Sequence, residues 1–279
     1  MLLGLDAGIS LAASVAICAG CGAFENFQFL WLLPLSFVGI FLLGVLAVFL
    51  FTCAACALVR LDKPQETDSR FYRGLTTLLI QAILPILGVR LEAHGLEKVP
   101  TQGRFLLVCN HLNDMDPLIL LHCFPKSRLS FISKRENSSM FVVGKLMHKM
   151  RCQLINREND REALKTILSC IQLIQDDEAS IAVFPEGYTS RDHKFHGFRY
   201  GVFKIAQRAK VPIVVCTLKN THFIFHNALR LRKTQVSLSL AAVIQPEEFA
   251  GLPTVRLGER IHEIMADSLG PEYRPDDAT

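Results

Sequence analysis

The sequence predicts an α/β fold, a mixed sheet flanked by helices, with an N-terminal membrane-embedded helical segment. Three observations carry this expectation. Asn26 to Val59 is a run of 34 residues without a charge. From Leu91 onward short apolar runs alternate with amphipathic stretches, an order that builds helices around one sheet. Charge is also split along the chain: residues 1–59 hold no Lys or Arg and only the acids Asp6 and Glu25, while the other 220 residues hold all 30 basic and 24 acidic ones. With 279 residues, 50% hydrophobic and 20% charged, the chain can bury a full core, which excludes a disordered or coiled-coil protein.

A straight helix over the uncharged run would reach about 51 Å, against a hydrocarbon core of ~30 Å, so more than one element is expected there. Pro34 offers a break, and Leu35–Leu58 is long enough to cross alone. Ala7–Phe24, rich in Ala, Gly and Ser, is expected as a second, weaker span or an interfacial helix. No basic residue opens the chain, which argues for membrane helices over a cleaved signal peptide. Arg60, Lys63, Arg70 and Arg73 follow the long span, and the positive-inside rule puts that end and the body after it on the cytoplasmic face. Of the nine cysteines, Cys18/Cys21 and Cys53/Cys56 have C-x-x-C spacing. They read as small apolar residues of membrane helices, and a cytoplasmic body implies reduced thiols.

Gly74–Val89 is uncharged between Arg73 and Arg90. It fits a helix in the membrane interface, one lining a lipid-tail groove, or a buried core helix. Then come the expected strand Arg104–Cys109, helix Pro117–Phe124 with Asn113, Asp114 or Asp116 as cap, strand Leu129–Ser133, and helix Asp160–Gln175 with Leu164, Ile167, Leu168, Ile171 and Ile174 inward. Strand Ser180–Phe184, an amphipathic helix over Phe198–Lys210, strands Val211–Leu218 and Gln235–Val243, and helix Val255–Leu269 complete the body. The tail from Gly270 is polar and expected to be loose. The domain reading is 1–59 as the transmembrane helical region, 60–90 as a basic juxtamembrane and interfacial segment, and 91–270 as the domain carrying the chemistry.

Two loops at strand ends hold the chemically pointed residues. In NHLNDMD, His111 precedes Asp116 by five positions. On a regular helix the two would lie about 140° apart, so they meet only if His111 sits in a loop and Asp116 near a helix start. A carboxylate beside an imidazole fixes its tautomer and stabilises the imidazolium. In FPEGYTSR, Pro185 and Gly187 impose a turn from which Glu186 is expected to project. There is no nucleophile elbow and no Walker motif. A His–Asp pair without a protein nucleophile suits a substrate hydroxyl as the attacking group. His193/His196 and His222/His226 are loosely spaced like metal ligands but lack an evident third partner, so no metal and no cofactor is called for. The basic residues are scattered without a nucleic-acid motif, so no nucleic acid is expected as a partner.

NH-x4-D at Asn110–Asp116, I-N-R at Ile155–Arg157, FPEG at Phe184–Gly187 and VPIV at Val211–Val214 occur in one order over roughly Arg90–Thr221. Together they resemble the glycerolipid acyltransferase family, and more closely the membrane-anchored 1-acyl-glycerol-3-phosphate acyltransferases. The resemblance implies transfer of an acyl group from acyl-CoA or acyl-carrier protein to the sn-2 hydroxyl of a lysophospholipid, foremost lysophosphatidic acid. Glycerol-3-phosphate, another lysophospholipid or an aminoacyl lipid stand as alternative acceptors, and a thioesterase or a non-catalytic lipid-binding membrane protein as alternative functions. It implies His111 as catalytic base and Asp116 as its orienting acid. Asn110, Lys134, Arg157, Glu186, Gly187 and Arg191 are the implied substrate-binding residues, with Arg157 on the acceptor phosphate. Val211 and Pro212 match the block that shapes the site and acyl pocket. Basic side chains of the body would meet anionic membrane lipid. The sequence departs from the pattern at Asn113, where the family has Ser, and at Tyr188 and Thr189, where it has Thr and Arg. Arg191, two places on, is one candidate to replace that Arg, and the phosphate contact it would make stays open.

Overall fold

A computed structural model describes residues 2–65 and 67–275. The chain divides into two units, Met1–Asp62 and Lys63–Thr279. In the first, helices α1 (Leu2–Gly20) and α2 (Leu32–Ala57) are joined by a turn with a short 3-10 segment at Phe27–Phe29. Both are long and apolar enough to cross a membrane. Their large apolar side chains point outward, as Leu42 and Leu43 do, while the small Ser10, Ser14 and Cys18 are buried at one-turn spacing on α1. Small residues on the inner face let helices approach closely in lipid. Gly44 on α2 leaves the room that the Asp6 carboxylate occupies. Helix α1 stops before Phe24 because Gly22 turns left-handed, with the Ala23 amide returning to the Cys18 carbonyl and that of Gly22 to Ala19. Pro34 lies within the first turn of α2, where its missing N–H has no intrahelical partner to lose.

The second unit is built on seven strands: β1 (Val89–His94), β2 (Leu106–Cys109), β3 (Leu129–Lys134), β4 (Gln153–Ile155), β5 (Ser180–Val183), β6 (Ile213–Lys219) and β7 (Thr234–Ile244). Their order is β1-β7-β6-β2-β5-β3-β4, parallel except for the antiparallel β6–β7 pair. Strands β2, β5 and β6 are the continuous apolar runs, buried on both faces. Side chains alternate across the sheet. Leu106, Val108, Ile181 and Ile213 face helices α6 (Asp160–Gln175), α7 (Lys204–Ala209) and α9 (Thr254–Leu269). Leu107, Cys109, Val214 and Val236 face α3 (Arg70–Ile86) and α4 (Asp116–Cys123). The result is a three-layer arrangement with the sheet in the middle. Two further helices, α5 (Phe141–Lys149) and α8 (Ile224–Leu229), sit in connections.

Several expectations need correction. Helix α3 starts at Arg70 and buries Ile80 and Leu84 in the core beside the sheet, so the core-helix alternative holds for that face. Residue Val89 opens β1, whose alternating Val-Arg-Leu-Glu-Ala-His pattern is that of a half-buried strand. Helix α6 has the expected bounds, capped by the Asn159 side chain on the amides of Arg161 and Glu162, but Leu164 and Leu168 are exposed. Thr166, Cys170 and Leu173 take their place beside Ile167, Ile171 and Ile174, because adjacent pairs one turn apart cover a flat sheet better than a single row. The stretch Phe198–Lys210 is not one helix: a 3-10 turn at Tyr200–Phe203 precedes α7. The tail is anchored through Tyr273, which is buried, accepts the Phe195 amide at its carbonyl (2.7 Å) and accepts the Asn220 amide at its hydroxyl (2.9 Å).

Leu107 is fully buried at the centre of the sheet. Leu107→Ala is expected to lower stability by about 2–5 kcal/mol, read as a fall in the denaturation midpoint of the purified protein.

Candidate active site

From β2 the chain passes to β3, beyond β5; from β5 it passes to β6, beyond β2. The loops leaving β2 and β5 therefore pass across each other's strand and meet at the carboxyl ends, the end at which open α/β sheets bind ligands. NHLNDMD leaves β2 and FPEGYTSR leaves β5.

Asp116 is the first residue of α4 and is fully buried. Its Oδ2 accepts the backbone amides of Leu112 (2.7 Å) and Asn113 (2.8 Å) and lies 2.9 Å from His111 Nδ1. An oxygen already accepting two amides needs a donor as its third partner, so Nδ1 carries the proton and Nε2 the lone pair. Thr189 Oγ1 lies 3.0 Å from Nε2 and donates to it. The Phe184 ring stacks on the imidazole at 4.2 Å. Of the expected caps, Asp116 serves His111 and its loop, and Asn113 accepts the Met115 amide in a local turn.

The backbone of His111 is also held. Its amide donates to Glu186 Oε1 (3.0 Å), and its carbonyl accepts the Ser190 amide (2.9 Å). Glu186 Oε2 accepts the His196 amide (3.1 Å). Glu186 thus does not project from its turn; it is buried and bonded to two amides. Burial pushes its carboxyl up to about 7, with the two amides and the charges of His111 and His196 pulling the other way. Asn110 is buried as well. Its side chain gives Nδ2–H to the Leu218 carbonyl (2.9 Å) and takes the Leu218 amide (2.8 Å), pinning the loop to β6.

The cationic part lies along the same end of the sheet. Gly187 has φ +84°, and a Cβ there would stand 3.0 Å from Arg199 Cδ and Nε, so only glycine lets that side chain cross the turn. Arg157, just past β4, has its guanidinium pulled below the ordinary range by partial burial and then by the charge of Arg199, with Glu136 opposing. Neither arginine has an ion pair within 4 Å among the described residues. Two like charges coupled this way favour a nearby anion. Lys134 ends β3 in register with Ile155 and is exposed, as is Arg191.

The structure therefore gathers His111, Asp116, Glu186 and Gly187, but turns Asn110 and Glu186 to backbone duty. Arg199, not Arg191, joins Arg157. Val211 and Pro212 stand at the opposite end of β6 from His111, where the Pro212 carbonyl accepts the Leu106 amide. Phe184, Thr189 and Ser190 lie within FPEGYTSR, but their contacts with His111 were not foreseen, and Arg199 carried no sequence signal. Among the described residues no three His, Cys, Asp or Glu side chains are grouped as metal ligands would be.

A family model described as Acyltransferase matches residues 90–219. Over 186 residues the chain is 32% identical to a Mycoplasma pneumoniae protein named "Probable 1-acyl-sn-glycerol-3-phosphate acyltransferase", covering 65% of this chain and 67% of that one. Over 191 residues it is 27% identical to a Cocos nucifera protein named "1-acyl-sn-glycerol-3-phosphate acyltransferase", covering 68% of this chain and 61% of that one. The chain thus spans about two thirds or less of the length of these two relatives. The crystal structure of PlsC from Thermotoga maritima, a 1-acyl-sn-glycerophosphate acyltransferase, matches with a TM-score of 0.56 at 20% identity, over 78% of this chain and 85% of that one. At that identity the likeness concerns the fold.

Glu186 yields a pH prediction. Its carboxyl titrates at about 7 in the fold and near 4.5 when unfolded, so its stabilising contribution is full below about 4.5 and is lost as pH rises through about 7. Glu186→Gln removes that titration. Thermal unfolding of both proteins between about pH 5 and 8 is expected to show the stability difference shifting in favour of the variant as pH rises. A difference independent of pH would refute it.

Proposed function

The chain belongs to the glycerolipid acyltransferase family, and from that premise we propose that it carries a fatty acyl group from acyl-CoA or acyl-carrier protein to the sn-2 hydroxyl of lysophosphatidic acid, giving phosphatidic acid. The observation that carries the reading is His111 itself: Nδ1 held by Asp116, and a lone pair at Nε2 already solvated by a hydroxyl.

In this mechanism the acceptor hydroxyl replaces Thr189 at Nε2. His111 takes its proton as the oxygen attacks the thioester carbonyl carbon. Asp116 stabilises the imidazolium. The tetrahedral intermediate collapses with loss of the thiolate, which takes the proton from Nε2, and the base is restored. Such positioned proton transfer contributes ~10²–10⁴-fold. Arg157 and Arg199 grip the acceptor phosphate across Gly187, in fork geometry suited to phosphate oxygens. Lys134 and Arg191, exposed near them, add charge to the approach. Residues 1–59 serve as the membrane anchor and 60–69 as the juxtamembrane link, while α3 and β1, packed into the body, join 91–270 as the catalytic part, on the cytoplasmic face by the basic residues after α2.

The test supplies membranes containing the protein with labelled acyl-CoA or acyl-carrier protein and a panel of lysolipids. Transfer to lysophosphatidic acid is expected, falling about 10²-fold or more in His111→Ala at unchanged expression. Transfer only to another acceptor refutes the substrate, and free fatty acid as the sole product points to a thioesterase. In the same assay Arg199→Ala is expected to raise the KM for lysophosphatidic acid about tenfold or more, whereas Arg191→Ala leaves it near the parent value.

A further inference from the structure

Strand β7 runs antiparallel to β6, with Lys219 opposite Ser237, and β1 runs parallel to β7, with Val89 opposite Thr234. The connection from Asn220 to Lys233 and the turn between α3 and β1 therefore stand at the same end of the sheet as His111. This end carries apolar side chains that the fold does not use. Leu229 is 89% exposed, Leu231 98% and Ile86 60%, with Phe223 and Phe225 also exposed. Leu231 is held in a left-handed backbone conformation, φ 53°, that a leucine seldom adopts.

Cations alternate with the leucines. Arg230, Arg232 and Lys233 are exposed and make no ion pair among the described residues, and Arg90 is exposed on neighbouring β1. The sequence adds to this: from His193 to Pro246 there are nine Lys or Arg and no Asp or Glu. Protein–protein interface cores are depleted of charge and seat projecting side chains in a partner's pockets. A projecting loop of the pattern Leu-Arg-Leu-Arg-Lys suits a different occupant, one that is apolar inside and anionic at its surface.

We propose that Phe223–Lys233, with Ile86, is a second membrane contact, separate from α1 and α2. Leu229 and Leu231 enter an anionic bilayer below its headgroups, while Arg230, Arg232 and Lys233 meet lipid phosphates. The end of the sheet bearing His111 then faces the bilayer. The inference deepens the reading of a lipid-borne acceptor, but its test does not depend on turnover, so the two can fail separately.

The chain has one tryptophan, Trp31, which allows a direct readout. In a Trp31→Phe background, Leu231→Trp places an indole on the proposed contact, and Leu252→Trp places one in the loop after β7, at the opposite end of the sheet. Circular dichroism checks that both full-length variants fold. Each is reconstituted into vesicles of phosphatidylglycerol and phosphatidylcholine with brominated acyl chains. We expect emission from position 231 to shift to the blue and to be quenched at least twofold more than emission from position 252. Adding Arg230→Gln, Arg232→Gln and Lys233→Gln is expected to reduce that quenching by half or more. Equal quenching at the two positions overturns the contact. A blue shift without bromine quenching indicates a protein partner or second copy and also overturns it. Quenching unchanged by the triple substitution overturns the anionic-lipid assignment.

Discussion

A loop holds a side chain only as firmly as its own backbone is bonded, and for His111 both backbone groups are bonded by the loop from β5. The amide goes to Glu186 and the carbonyl takes the Ser190 amide. Asn110, one residue earlier, is tied to β6. Three adjacent strands thus set the position of one imidazole before its side chain makes any contact. Glu186 is central because its second oxygen holds His196, which fixes the return of the FPEGYTSR loop. The cost is a carboxylate taken out of water: burial outweighs the two amide bonds and pushes the carboxyl up to about 7.

What the residues disclosed on their own followed from how local each cause was. Helix α6 was legible to its bounds because its cap and stripe lie within it, and β2, β5 and β6 because fully buried strands are unbroken apolar runs. Strand β4 was not, since three residues are too few to show a period, and β1 was missed although its apolar residues alternate with polar ones. The two faces of α6 depended on a sheet whose order no single segment encodes. At the site, the His111–Asp116 pair was legible because a five-residue spacing across a loop and helix start permits few arrangements. The burial of Glu186 was not, because a glutamate between proline and glycine has the look of a surface turn until the amides it serves are brought from elsewhere. Arg199 was hidden for the same reason: β3 alone separates β4 from β5, and only that order brings a residue long past FPEG toward Arg157.

The reversed pair β1 and β7 changes what one end of the sheet can do. In an all-parallel sheet that end would hold only loops that follow strands. Here it also receives a loop that precedes β7 and a helix end that precedes β1. Loops at the carboxyl ends bring the His111–Asp116 pair, and those at the reversed ends an apolar, basic rim. The two apolar helices of the first unit add a further greasy surface, and the second unit is a three-layer body.

Thr189 places a limit on where selectivity can arise. With its hydroxyl already on Nε2, an arriving alcohol exchanges one oxygen donor for another of nearly equal strength, and the net gain at that atom is close to nothing. On the proposed reaction, discrimination among acceptors then falls to the parts remote from the reacting oxygen, the anionic head and the hydrocarbon tail. In that reaction a small alcohol or a water molecule lacks both and gains almost nothing by displacing the threonine.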